Sequence, residues 1–417
     1  MALLIDPELA LGVVETLAKF QGTKVNPATD EQPGKIMHEI RFSDANSAAL
    51  EDGELYYGTA DATPLFVMLL GELKRWGPVD GAVERMLPHA DRALEWMMSH
   101  GDSDGDGYIE YERSVETGLA NQGWKDSWDG IRYAYGRVAT APIALCAVQA
   151  YAYGAYRARA RLAEDAGDIE TAQRWEDQAA QLQKQFNEDF WLDDKGWFAV
   201  GLDADKNPID SLTSNIGHCL WTGIVDEDKA AIVAKKLMSP EMFTGWGTRT
   251  MAANTPGYNP TGYHVGSVWP HDTAIVAAGL MRYDLVEPAH RLMMALLEAG
   301  QQSGGRLPEL MAGFSRDEFA TPIAYPASCS PQAWSAAAPL LLLRWMLRLD
   351  PWFGRGRLWV DPVLPPEITR LKVCGIPIGD SRVSVIVENG KVEVEGLPEG
   401  VELHRGLRPG KRRDRWT

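Results

Sequence analysis

Apolar residues return at helical spacing in segment after segment of the first 350 residues, and long connections rich in Gly, Asp and Pro separate the segments. Asp6-Pro7 opens the first, which runs to about Phe20 with Pro at the first helical position. Others lie near 63–77, 81–99, 139–166, 168–190, 227–238, 267–281, 284–301 and 331–348. Connections as long as 22–62, 101–137 and 303–330 are uncommon in a compact chain unless they carry function. Paired helices with such loops gathered at one end describe an α/α toroid. A helical bundle with inserted loops is the plainer arrangement with the same signal.

After Asp350 the pattern changes. VSVIVENGKVEVEG alternates apolar and polar residues on both sides of Asn389-Gly390, the strongest short-range signal for a two-residue hairpin turn. With LKVCGIPIG it makes a small β appendage. The expected organisation is a helical domain over 1–350, a β-rich appendage over 351–404 and a basic tail over 405–417.

A net charge of -17 repels phosphate backbones and excludes nucleic acid as a partner. MALLIDPELALG has neither the basic start nor the apolar run of a signal peptide, and no stretch approaches a membrane span. A soluble, cytoplasmic protein is expected. Cys146, Cys219, Cys329 and Cys374 are far apart with no CxxC pair, and read as small buried hydrophobes in a reducing compartment. The 15 tryptophans, in an acidic chain, suggest carbohydrate, because sugar rings stack their C–H faces on indole.

The chemistry-bearing residues lie in the long connections. In NQGWKDSWDG (121–130), Asp126 and Asp129 sit among Trp124 and Trp128. A carboxyl packed on indole is desolvated, which favours its protonated form and suits a general acid. Helix capping is the other reading of these aspartates. In GGRLPELMAGFSR (304–316), Pro308 fixes Glu309, which could activate a water or be a plain surface glutamate. GDSDGDGYIEYER (101–113) puts Asp102, Asp104, Asp106, Gly107 and Glu110 at positions 1, 3, 5, 6 and 9 of a calcium loop. Arg113 stands at position 12, where a bidentate Glu belongs, so a structural calcium competes with an acidic turn. EQPGKIMHEIR, YYGTADATPLF, GWGTRT and YHVGSVWPHDT supply His38, Glu39, Arg41, Asp61, Trp246, Arg249, His264, Trp269 and His271 as candidate groups ringing a pocket, beside Trp124, Lys125 and Asp129. His264 and His271 have no third ligand at metal spacing, so zinc is not expected.

Together these blocks resemble the bacterial amylo-α-1,6-glucosidase or glycogen-debranching family, in that family's order and over most of residues 5–390. DEQPGKIMHEIR, GTADATPLFV, DGDGYIEYER, GLANQGWKDSWD, GWGTRT, GSVWPHDTAIVAAGL and YPASCSPQAWSA carry the resemblance. It implies an all-α fold, the (α/α)6 toroid of glucoamylase-like six-hairpin glycosidases, with Asp126 of WKD as general acid and Glu309 of LPEL as general base. In that family the catalytic glutamate precedes a final helix with a Trp-Ser pair, here Trp334-Ser335.

The implied activity is inverting hydrolysis of α-linked glucosides, as in glycogen debranching, without a required cofactor. Hydrolysis of small α-glucosides or α-mannosides such as sugar–glycerate conjugates is the first rival. A carbohydrate-binding protein without catalysis is the second. The resemblance starts after the family's N-terminal sandwich and its Gly-Arg-Asp-Ser helix. An apolar groove is therefore expected beside residues 7–20. A second copy in a homodimer, or the chain's own segment after Asp350, would cover it.

Overall fold

The computed structural model describes residues 1–41, 54–77 and 81–410, so the basic tail from 411 onward lies outside the described residues. Among these, ten α-helices make up the body: α1 (Pro7–Lys19), α2 (Ala62–Trp76), α3 (Ala82–Met97), α4 (Cys146–Asp165), α5 (Ile169–Asp189), α6 (Asn215–Thr222), α7 (Glu227–Leu237), α8 (Pro270–Arg282), α9 (Val286–Gln302) and α10 (Ala333–Leu347). Local chemistry sets their ends. The Asp6 carboxylate accepts from the Glu8 N–H at 2.9 Å and Pro7 opens α1. Gly77 closes α2 in the left-handed conformation at φ 81°.

The even-numbered helices form the inner layer. α2 packs on α4, α4 on α6, α6 on α8, and α8 on α10. Their partners α3, α5, α7 and α9 lie outside them. Burial follows this arrangement: every residue of α8 is buried, whereas α5 and α9 bury one face only. Between α10 and α2 stand two short pieces of the same chain. The 3-10 turn Ala2–Leu4 packs on α10, and α2 is met by Asp350–Trp352 and Phe353–Arg355. The side of α1 that faces α2 is therefore covered within the chain, with Val14 fully buried, while Leu9 and Val13 point outward at 60% and 50% exposure.

The architecture is toroid-like, with 39% of the described residues helical, but it is not all-α. Strands Arg370–Ile378, Ser381–Glu388 and Lys391–Glu395 form an antiparallel sheet, with Asn389 and Gly390 both at positive φ in the expected turn. Asp350–Trp352, Arg357–Val360 and Glu402–Arg405 form a second sheet. No helix among the described residues is long and apolar enough to cross a membrane.

Candidate active site

The inner helices begin at one end of the molecule, and the long loops that precede them meet there. Asp61 stands immediately before α2, Trp269 before α8, and His271 and Trp334 in the first turns of α8 and α10. The loops are fastened to one another by isolated β-bridges. Val268 and Met311 exchange two hydrogen bonds at 2.8 Å, Arg249 pairs with Val268, and Met311 with Ala324. This places the loop of Glu309 beside the loop of Tyr263 and His264.

Glu309 is not a surface glutamate. It is 4% exposed, its Oε1 accepts from the Tyr263 hydroxyl at 2.6 Å, and its Oε2 accepts from the Cys329 N–H at 2.8 Å. Asp126 reaches the same cluster from the loop before α4. Its carboxylate lies 3.9 Å from Nδ1 of His264, whose ring packs on Tyr263 at 4.6 Å between centroids. Contacts thus run Asp126–His264–Tyr263–Glu309. Burial raises the pKa of Asp126; His38 opposes the shift, and Asp61 and Glu39 add to it. His264 is held neutral, its pKa pushed well down by burial and then by Lys125 and His271. Its Nδ1 accepts from the Ser127 N–H at 3.4 Å and lies 2.9 Å from the Ser127 hydroxyl, which fix the ring beside Asp126.

Aromatic rings wall the cluster. Trp124 stacks on His218 and meets His264, Trp269 and His271 edge-on. Trp269 stacks on His264, and its Nε1 donates to the Tyr263 carbonyl at 2.9 Å. His271 stacks on Trp334 at 3.8 Å, and burial lowers its pKa to about 3. Both His271 nitrogens, His264 Nε2, Trp124 Nε1 and Trp334 Nε1 are buried without hydrogen-bond partners, a density of unspent polar atoms that suits a hydroxyl-rich ligand. Lys125 is buried beneath the loop, donates to the Thr250 carbonyl at 2.6 Å, and has its pKa lowered by burial to about 8. It ties the Asp126 loop down from within.

Several expected groups join this cluster and others do not. His38, Glu39 and Asp61 stand close enough to Asp126 to perturb it. Arg41 pairs through its backbone with Glu54, and its side chain lies outside the described residues. Asp129 is turned into an ion pair with Arg132 at 3.3 Å. Arg249 donates to the carbonyls of Gly313, Pro240 and Glu241, so its guanidinium is a brace between loops. Trp246 is covered by the guanidinium of Arg316, 3.9 Å from the ring centroid, in place of a sugar. Asp102, Asp104 and Asp106 do converge, with ligand atoms within 4.8 Å of one another. Yet the Lys206 ammonium sits among Asp104, Asp106 and Glu110, and the Asp102 oxygens accept from the Gly105 and Gly107 N–H groups. A cation the loop calls for is thus supplied by the chain. Cys146 and Cys219 are buried as expected, but Cys329 and Cys374 are exposed.

Sequence reasoning did not select Tyr263, although it sits beside His264 in a block already singled out. It also missed His218, which bonds Asp272 at 2.7 Å behind Trp124.

The chain is a glycoside hydrolase domain of the glucoamylase-like superfamily, on the strength of a family model. A family model, "Mannosylglycerate hydrolase MGH1-like glycoside hydrolase domain", matches residues 62–309, more than half of the chain, and the chain belongs to that family. The superfamily implied by the motif blocks is supported, and the debranching family within it is not. No curated protein sequence matches. Among solved structures, a GH78 rhamnosidase of a Bacillus species is similar over 96% of this chain and 38% of its own, with TM-score 0.61 and 16% identity. A sialidase matches over 84% of this chain and 32% of its own, with TM-score 0.61 and 14% identity. The GH63 mannosylglycerate hydrolase from Thermus thermophilus, solved in complex with glucose, matches over 82% of this chain and 89% of its own, with TM-score 0.56 and 15% identity. The chain thus spans about a third of the first two and most of the third. At these identities the likeness is one of fold.

Proposed function

We propose that the protein is an inverting hydrolase of small α-linked glycosides, glucosides or mannosides with a compact aglycone such as glycerate. The observation that carries this reading is the contact chain from Asp126 to Glu309 through His264 and Tyr263. Asp126, with its pKa raised by burial, protonates the glycosidic oxygen. Glu309, fixed by Tyr263 and the Cys329 N–H, deprotonates the water that attacks the anomeric carbon from the other face. An imidazole and a phenol standing between the carboxyls favour the wider separation of inverting enzymes, about 6.5–9.5 Å, over the roughly 5 Å of retaining ones. Neither step uses a metal.

The mannosylglycerate hydrolase in the family's description supports a small substrate rather than branched glucan. Turnover of mannosylglycerate and glucosylglycerate beside panose, isomaltose and limit dextrin tests this. Efficient release of sugar from the glycerate conjugates alone is expected. Preference for the glucans would return the protein to debranching, and binding without turnover of any would make it a carbohydrate-binding protein.

A further inference from the structure

The loop that carries Asp126 runs on into a hairpin turn over residues 132–138, where Arg132 and Val138 pair. The Tyr133 N–H donates to the Arg137 carbonyl at 2.9 Å and the Gly136 N–H to the Tyr133 carbonyl at 2.8 Å, with Gly136 in the left-handed region at φ 92°. Side chains tie this turn down. The Tyr133 hydroxyl donates to Asp203 at 2.7 Å, the Ala134 N–H to Asp210 at 2.9 Å, and Arg132 to the Gly136 carbonyl at 2.8 Å. At the tip, one face of Tyr135 stacks on Tyr133, with 5.3 Å between centroids and 17° between planes. Tyr135 is 63% exposed, so its other face is open to solvent.

Tyr133 and Tyr135 line a surface cavity of about 610 Å³, shared with the 203–210 turn and within the size range of ligand sites. Two of its aspartates are already committed. Asp203 holds Tyr133 and the N–H groups of Asp205 and Asn207, and Asp210 holds Lys195 and the Ala134 N–H. Turn chemistry explains these two. It does not explain the rest of the wall, where Arg137, Thr140 and Asp205 are exposed and their side chains make no hydrogen bond or ion pair among the described residues. A rigid aromatic face thus stands in water beside donors and an acceptor that are free. A wholly apolar ligand would leave those polar groups dry, and a simple ion would leave the ring unused. A pyranose uses both: its C–H face stacks on the ring, and the hydroxyls around its edge reach the polar rim. The turn is already fixed, so binding costs little ordering of the protein.

We infer that this cavity binds a neutral oligosaccharide, with one sugar ring stacked on Tyr135 and hydroxyls bonded to Arg137, Thr140 and Asp205, at a site outside the Asp126–Glu309 cluster. The site does not cleave. It holds a glycan beside the catalytic loop, to which the turn is joined by the Arg132–Asp129 ion pair at 3.3 Å.

Titration calorimetry of the intact protein with maltotriose and α-linked mannotriose tests this, with sorbitol as a polyol that has no ring face. Saturable heat is expected with at least one trisaccharide and not with sorbitol. Tyr135→Ala should weaken binding by about tenfold or more, and Tyr135→Phe, which keeps the ring, by less than about threefold. Asp205→Ala should weaken it as well. None of these readouts uses turnover. Tyr135→Ala should also release sugar from glucosylglycerate at the native rate, so failure of this site and failure of the catalytic reading are distinguishable. Absence of saturable binding by both trisaccharides would overturn the inference, as would equal binding of sorbitol. Native affinity in Tyr135→Ala, or a loss in Tyr135→Phe as large as in Tyr135→Ala, would also overturn it.

Discussion

Two aspartates three residues apart illustrate how environment assigns roles. Asp126 is desolvated, while Asp129 is committed to Arg132. Asp126→Asn should lower kcat by about 10²–10⁴-fold, the usual worth of general acid catalysis, with little change in melting temperature. Asp129→Asn should cost less than tenfold in kcat, and a larger loss there than at Asp126 would reassign the acid. The same electrostatics predict a pH effect. The enzyme needs Asp126 protonated, so activity falls as pH rises through its pKa. Glu39 is one of the charges that raise that pKa. Glu39→Gln removes a nearby negative charge, stabilises the carboxylate and should move the alkaline limb of kcat/KM to lower pH. An unmoved or raised limb would show that another group sets it.

Secondary-structure elements differ in how openly the sequence announces them. The Asn389-Gly390 hairpin was legible because the alternation and the turn residues agree. α6 was not, since eight residues buried on nearly all sides leave no polar face to set a period. The segment expected over 139–166 begins only at Cys146, after the residues that pair with the 201–202 strand. Glu309 and Asp126 were legible from their loops, whereas His218 reads as a core residue and acquires meaning only when α6 sets it against Trp124. The acidic loop was half legible: the aspartates converge, but Lys206, about a hundred residues further on, could not be matched to them by spacing.

Two element-scale outcomes follow from these contacts. Burial alone would lower the Lys206 pKa, but its bonds to Asp104, Asp106 and Glu110 outweigh that and raise it. Lys206→Met should cost about 1 kcal/mol, at the upper end for a partly exposed ion pair, and lower the melting temperature by ~2 °C. Calcium should restore that variant and leave the native protein unchanged. An equal calcium response in both would place the ion in the native loop. At the start of α8, His271 titrates near 3 in the fold against an ordinary value of 6.5. Its contribution to stability is therefore present above pH 6.5 and lost as pH falls towards 3. His271→Phe keeps the stack on Trp334 and should flatten the dependence of melting temperature on pH over that window. An unchanged slope would assign the acid sensitivity elsewhere.

Across the whole molecule, one layer of helices serves two ends. Their starts gather the loops that carry the carboxyls, and further along them α2, α4, α6, α8 and α10 line a cavity of about 320 Å³. Both carboxyls come from one chain, so mixing Asp126→Asn with Glu309→Gln protein should recover no activity. A homodimer remains our proposal, on narrower ground than a bare groove, because the chain covers the side of α1 that faces α2. Leu9 and Val13, one turn apart on α1, are 60% and 50% exposed, and Ile5 just before the helix is 59% exposed, so large apolar side chains face outward here. Sedimentation should give a dimer that Leu9→Glu dissociates, and a native monomer at micromolar concentration would rule it out.

In the proposed mechanism Asp126 and Glu309 act on opposite faces of one sugar, with water between Glu309 and the anomeric carbon. The anomer first released from an α-glycoside, read by proton NMR before mutarotation, decides whether they do. The β-anomer is expected. Accumulation of the α-anomer would mean retention through a covalent intermediate, and would contradict the assignment of Glu309 as a base.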